Sequence, residues 1–215
     1  MKKYFRNIAV GGLVLLTGCN NFLDVVPDDR TEINTTEKLA KLVADAYPKA
    51  SYAAMLNSRV DFVTDKGSGK QENNSNTDPF WRDVEDETQD TPTWFWRKFY
   101  YSIAEVNHAL KAAEEMGAPK EQEPYIAEAK MIRSFSHFML VSLFAKFYDK
   151  DSDNSSPGVP YVTEPETVAL AKYDRETVAK TYEKIEKDLI ESIDKMHETN
   201  YFFVTYGNVT GSFVS

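Results

Sequence analysis

Apolar residues return at three- and four-residue spacing in several stretches of the chain, so it reads as helical. The most apolar stretch runs from Glu123 to Tyr148. Ile132, Phe135, Met139 and Leu143 share one helical face there, while Phe138, Val141 and Phe147 fall on other sides. A helix that is apolar nearly all round is usually buried among other elements. This stretch is therefore expected at the centre of an all-α domain. Pro124 suits its first turn, where the missing N–H would have had no partner. Glu128, Lys130, Arg133, His137 and Lys146 interrupt the run and oppose a membrane span. Each charge at bilayer depth would cost roughly 2.5–3.5 kcal/mol on insertion scales.

Three further long helices follow from the same pattern. Asn34 reads as an N-cap, with Glu37 completing a capping box. That helix carries Leu39, Leu42, Val43, Ala46 and Tyr47 to a stop or kink at Pro48. A short helical piece is expected around Tyr52 to Leu56. Pro92 to Met116 forms the next long helix, stopped by Gly117. Trp96, Phe99, Ile103, Leu110 and Ala113 share its apolar face, bordered by Tyr100 and Val106. Asn107 lies inside that stripe, and a buried amide must find partners. A structural hydrogen bond to a neighbouring loop or helix end is preferred to a ligand role. Asp174 reads as the N-cap of the last helix. It is expected to bury Val178, Tyr182, Ile185, Leu189, Ile193 and Met196, with Glu176, Glu183, Lys184, Glu186, Lys187 and Asp188 solvating the other side.

The pattern breaks down between Asn57 and Thr93, where Gly67, Gly69 and an Asn-Asn-Ser-Asn run forbid long regular elements. A loop this long in a compact domain is usually functional or mobile. Phe80, Trp81 and Arg82 sit in its middle, flanked by acids. Such a group suits a sugar: the C–H face of a pyranose stacks on a ring, and carboxylates, amides and guanidinium groups bond its hydroxyls. The competing reading folds Phe80 and Trp81 back onto the core as a plug. Trp94, at the start of the following helix, belongs either to the core or to the same exposed loop. Trp81, Arg82 and Trp94 are thus the candidate ligand-binding residues. Further on, Asp149, Asp151 and Asp153 alternate as in a calcium loop. The match fails at Asn154, where glycine is wanted, and at Pro160, where the closing glutamate should stand. Pro157, Gly158 and Pro160 make an extended turn leading into a strand-like piece at Tyr161 to Thr163. The tail YFFVTYGNVTGSFVS is strand-like without an evident partner. It reads as an incomplete chain or as a segment packed against something else.

Charge and cysteine content narrow the chemistry. The 215 residues suffice for one domain with a real core, and a formal net charge of −9 argues against a nucleic-acid partner. Aromatics make up 13% of the chain, more than the helical stripes use, which leaves some for a binding face. Lys2, Lys3 and Arg6 precede a short apolar run, Ile8 to Leu16, that ends in Leu16-Thr17-Gly18-Cys19. Small residues just before a cysteine are what a lipoprotein signal peptidase requires. Cys19 would carry the lipid, and several acyl chains give stable anchoring where one is marginal. A free structural cysteine after an ordinary signal peptide is the alternative. Cys19 is the only cysteine, so neither an intrachain disulfide nor a cysteine-cluster metal site can form. Losing residues 1–18 would take the charge from −9 to −12. His108, His137 and His197 are isolated, and no G-x-S-x-G elbow occurs. No metal, cofactor or catalytic residue is expected.

Five short patterns, in order behind the cysteine, resemble a known family. Asn21-Phe22-Leu23-Asp24 and Pro27 are similar to a C-x-D-F-L-D-x-x-P opening. Trp96, Tyr100, Ile103 and Asn107 resemble a W-x-x-x-Y-x-x-I-x-x-x-N helix. Ala127-Glu128-Ala129, Arg133-Ser134-Phe135 and Leu140-Val141 resemble an A-E-A-x-x-x-R-A-F helix. Gly158-Val159-Pro160-Tyr161-Val162-Thr163 is similar to G-V-P-L-V-T, and Arg175 to Leu189 to R-x-T-V-x-x-x-Y-x-x-I-x-x-D-L. Together they resemble the N-terminal half of a SusD/RagB-like outer-membrane lipoprotein. The resemblance implies a tetratricopeptide-like helical scaffold with long irregular loops, truncated relative to the family. It implies a lipid-anchored protein on the outer face of the outer membrane that binds oligosaccharides, caps a SusC-like TonB-dependent transporter and catalyses nothing. Domain boundaries follow: 1–18 lipoprotein signal peptide, 19–34 lipidated tether, 35–200 SusD-like helical domain, 201–215 atypical tail. Two other readings stand beside it. One is a structural interaction module, or receptor fragment, that binds no sugar. The other is a glycosidase, which needs two carboxylates at close range, and none here sits in a recognisable motif.

Overall fold

The computed structural model describes residues 32–57, 60–62, 87–167 and 171–196, together with the strand residues 205–206 and 209–210. The chain divides into Met1–Ile33 and Asn34–Ser215, and every described helix belongs to the second unit. These are α1 (Thr36–Asp45), α2 (Ala53–Asn57), α3 (Pro92–Glu115), a 3-10 turn (Lys120–Gln122), α4 (Glu123–Phe144) and α5 (Val178–Met196). The fold is all-α, as the hydrophobic periodicity predicts. No helix among the described residues is long and apolar enough to cross a membrane.

Pro92 stands in the first turn of α3, and the Thr91 side chain accepts the Trp94 N–H. At the other end Gly117 adopts φ +82. Its N–H reaches Glu114 O at 2.9 Å, and the Ala118 N–H reaches Ala113 O at 2.8 Å. This paired closure satisfies carbonyls that the end of the helix would otherwise orphan. Pro124 occupies the first turn of α4. α3 and α4 lie antiparallel: Trp96 meets Phe144 edge-on at 5.1 Å, and Asn107 meets Arg133 at 3.0 Å. α5 runs back along α4, with Lys195 near Glu123 and Tyr182 near Phe138. The core between them holds Phe95, Phe99, Ile103, Leu140, Val141 and Ile185, with Met55 of α2 inserted. Full burial of such side chains stabilises by roughly 1.5–3 kcal/mol each.

Several expected details change. The first helix is capped by Thr35, whose hydroxyl accepts the Lys38 N–H at 3.2 Å, rather than by Asn34. Asp174 does not cap α5. Thr177 Oγ1 accepts the Lys180 N–H, while Ser156 O and Asn154 O accept those of Val178 and Ala179. α4 stops at Phe144 rather than Tyr148. Its buried side holds Ile132, Arg133, Ser136, His137, Leu140 and Val141, which leaves Phe135 48% exposed. On α5, Ile193 is 47% exposed, whereas Asp188, expected in solvent, is buried at 6%. The tail is not a lone strand: Thr205–Tyr206 and Val209–Thr210, β1 and β2, pair antiparallel with each other.

Candidate functional site

The extended segment 157–163, termed the strap here, lies against α3, α4 and the start of α5, and its one β-type pairing is an isolated antiparallel bridge between Pro157 and Thr177. Its backbone groups must still be satisfied where they are buried, and side chains from the helices do most of this. Arg175 Nε donates to Gly158 O at 2.7 Å, and the Tyr100 hydroxyl donates to Pro160 O at 2.8 Å. The Val162 N–H donates to His137 Nε2 at 3.1 Å, while Asn107 Nδ2 donates to Val162 O at 3.0 Å. Arg133 Nη1 reaches Thr163 O at 3.3 Å. Gly158 also pairs with the backbone, its N–H donating to Glu176 O at 2.7 Å. A Cβ on Gly158 would stand 2.3 Å from Thr181 Oγ1, so only glycine allows this approach.

Beneath the strap lies a buried polar network. Arg133 grips Asp188 with two bonds, Nε to Oδ2 at 2.7 Å and Nη2 to Oδ1 at 2.8 Å. Its Nη1 donates to Asn107 Oδ1 at 3.0 Å, and the Tyr161 hydroxyl donates to Asp188 Oδ2 at 2.7 Å. Such forked, charge-assisted pairs have strict geometry. The His137 ring stacks on Tyr161 at 3.9 Å. Because its Nε2 accepts the Val162 N–H, Nδ1 carries the proton and donates to Arg133 O at 2.9 Å. Burial disfavours the imidazolium and lowers its pKa to about 4. Burial, with the Asp188 carboxylate alongside, raises the Tyr161 hydroxyl well above its usual range. These bonds tie α3, α4, α5 and the strap together, so the arrangement works as a structural lock, with one N–H of Asn107 and one of Arg133 left over. His137 is a satisfied core residue and His108 an exposed one; His197 lies outside the described residues.

Of the predicted site residues, Cys19, Trp81 and Arg82 lie outside the described residues, as do Phe80 and most of its loop. Trp94 is described. It sits half-buried in the first turn of α3, with Lys98 Nζ 4.5 Å and Arg97 Cζ 5.3 Å from its ring centroid. Arg97 also donates to Glu87 O at 3.3 Å and approaches the Glu87 carboxylate at 3.6 Å. This end of α3 therefore combines an aromatic face, two cationic donors and a carboxylate within one turn of helix and its preceding loop. Arg97 and Lys98 stand three and four residues after Trp94, which places them on its side of the helix. That spacing is legible in the sequence itself. Two of the three alternating acids are committed to turns, Asp149 Oδ1 accepting the Asp151 N–H and Asp153 Oδ1 the Ser155 N–H, while Asp151 pairs with Lys150 at 3.1 Å. Asn154 holds φ +48 and ties the same loop together through its amide. Among the described residues no group of three or more metal-ligating side chains converges.

No curated protein matches the chain significantly. The model of one protein family, SusD-like, described as starch-binding and associating with the outer membrane, matches residues 21–208. The motif residues Tyr100, Asn107, Arg133, Arg175 and Asp188 meet in or around the strap, so the resemblance in sequence has a common structural purpose. With a match over most of its length, the chain belongs to the SusD-like family.

Proposed function

We propose that this protein is a lipid-anchored, cell-surface glycan-binding protein that hands oligosaccharides to a SusC-like TonB-dependent outer-membrane transporter and catalyses no reaction. The observation that carries this reading is the family match over residues 21–208, with its description of starch binding and outer-membrane association. Cys19 supplies the anchor: residues 1–18 leave as a signal peptide, 19–34 form the lipidated tether, 35–200 the helical domain and 201–215 an atypical tail. The antiparallel pairing of α3, α4 and α5 is compatible with a tetratricopeptide-like scaffold. Trp94 offers a stacking face, and Lys98, Arg97 and Glu87 offer hydroxyl partners around it; Trp81 and Arg82 are proposed as further ligand contacts on their residue types alone. Isolation from outer membranes in mild detergent tests the reading. A large β-barrel recovered in fixed ratio with the lipidated chain is the expected result. A lipidated, folded chain recovered alone would remove the transporter role.

One observation favours a second reading, an interaction module that binds no sugar. The shared motif residues hold the strap in place, and two cations already lie over the Trp94 ring. Titration of the purified chain with starch fragments separates the two, since the module gives no binding.

A further inference from the structure

A groove of about 540 Å³ opens between the C-terminal half of α3, the N-terminal half of α4 and the end of the strap. That volume falls in the range of small-molecule sites, roughly 300–1,000 Å³. We propose that this groove is a second saccharide subsite, separate from the Trp94 end and selective for neutral, hydroxyl-rich rings. The inference rests on the glycan-binding reading above.

Three features assign the ligand class. The first is donor capacity at buried positions. Asn107 and Arg133 both line the groove, and they are only 1% and 7% exposed. The Asn107 amide gives one hydrogen to Val162 O and has a second. Arg133 directs four of its five N–H groups to Asp188, Asn107 and Thr163, which leaves one on Nη2. Sugar hydroxyls accept from such donors. The second feature is charge. Lys111 is paired with Glu114 at 2.8 Å, and Lys130 with Glu191 at 2.5 Å. Glu164 adds a further carboxylate to the wall. Each cation already has a counter-charge, so an anionic ligand gains little, whereas hydroxyls find both donors and acceptors. The third is the apolar surface of Leu110 and Ile126 in the same wall, suited to the C–H face of a ring.

The rim is shaped by backbone. Gly117 and Ala118 both hold left-handed conformations, at φ +82 and +44, and nothing lies within 4 Å of where a Cβ on Gly117 would stand. A non-glycine residue in that region is uncommon. The two turn the chain sharply away from α3 and leave the mouth open. Trp94 and Leu110 are sixteen residues apart on α3, a rise of roughly 24 Å and a net rotation of about 160° for an ideal helix. The two surfaces therefore face different ways and bind separate sugar chains.

Calorimetric titration of the full chain with maltoheptaose tests this, alongside the Lys111→Ala/Glu164→Ala and Trp94→Ala variants. Both groove substitutions are at exposed positions, and an unchanged thermal transition confirms the fold. The expected result is two sites in the wild type, with at least a fivefold weakening confined to one site in each variant. Loss of all binding in Trp94→Ala, with the groove variant indistinguishable from wild type, would overturn the subsite and leave the glycan reading standing. No binding by the wild type would overturn both. Tighter groove binding of an oligogalacturonate of similar length would overturn the neutral-ligand assignment.

Discussion

α3 contributes to both the strap junction and the Trp94 end, and it uses polar side chains in opposite ways at the two. At the junction Tyr100 and Asn107 face inward, and each is committed to a backbone group of the strap. At the Trp94 end Lys98 and Arg97 lie over a half-buried ring beside Glu87, within reach of solvent. Burial explains the difference. A buried polar atom without a partner costs roughly 1–3 kcal/mol, so the junction tolerates one arrangement. An exposed cation–π contact contributes about 0.5–1 kcal/mol and can be exchanged for a ligand. The motif residues Tyr100, Asn107, Arg133, Arg175 and Asp188 thus sit where the fold is locked.

The contrast can be broken most strongly at Arg133. Arg133→Ala leaves Asp188 buried without its counter-ion, and removing one partner of a buried pair costs about 3–5 kcal/mol. Denaturant unfolding should show that loss; less than 1 kcal/mol would mean the pair adds little to the junction. The pH dependence comes next. The pKa of His137 in the folded protein, about 4, lies below its unfolded value of 6.5. The unfolded chain therefore binds the extra proton first as pH falls. Stability is fully present above pH 6.5 and declines toward pH 4, by about 3 kcal/mol in all. Glu128 and Glu105, both raised by burial, act in the opposite sense. The difference between wild type and His137→Asn isolates the histidine, and parallel pH profiles for the two would refute its role.

Smaller effects sharpen the comparison. Gly158→Ala should cost about 1–3 kcal/mol as an overpacked contact, because Thr181 Oγ1 and Thr177 O both stand in the way. A variant as stable as wild type would show that the strap can shift. Lys98→Ala at the other end should change stability by no more than about 1 kcal/mol. Trp94→Ala should remove sugar binding at that end while the thermal transition moves little. A large fall in melting temperature would instead class Trp94 with the core.

Short-range signals in the sequence predicted much of this. Pro92 and Gly117 bracket α3 to within a residue, Pro124 opens α4, and Asn107 is the structural amide its place in an apolar stripe suggested. Caps were less legible. Asn34 and Thr35, or Asp174 and Thr177, are similar acceptors a few residues apart, and the choice depends on where the loop before each helix packs. For α5 that loop comes from Asn154 and Ser156, some twenty residues earlier in the chain. The candidate site was legible only in its residue types. The pairing of Trp94 with Lys98 and Arg97 follows from helical spacing, but whether that turn faces solvent does not.

The sequence by itself determined the helices and the family, because caps, periodicity and motifs are properties of neighbouring residues. Tertiary structure decided which side of each helix is buried. α4 is apolar nearly all round, so periodicity could not choose its inward face, and Phe135 came out half-exposed while Arg133 and His137 went in. Asp188 looked like one more charge on a solvated side. It is buried because Arg133, 55 residues away in sequence, supplies two hydrogen bonds and a counter-charge that offset its loss of water. That compensation exists only once α4 and α5 have packed together.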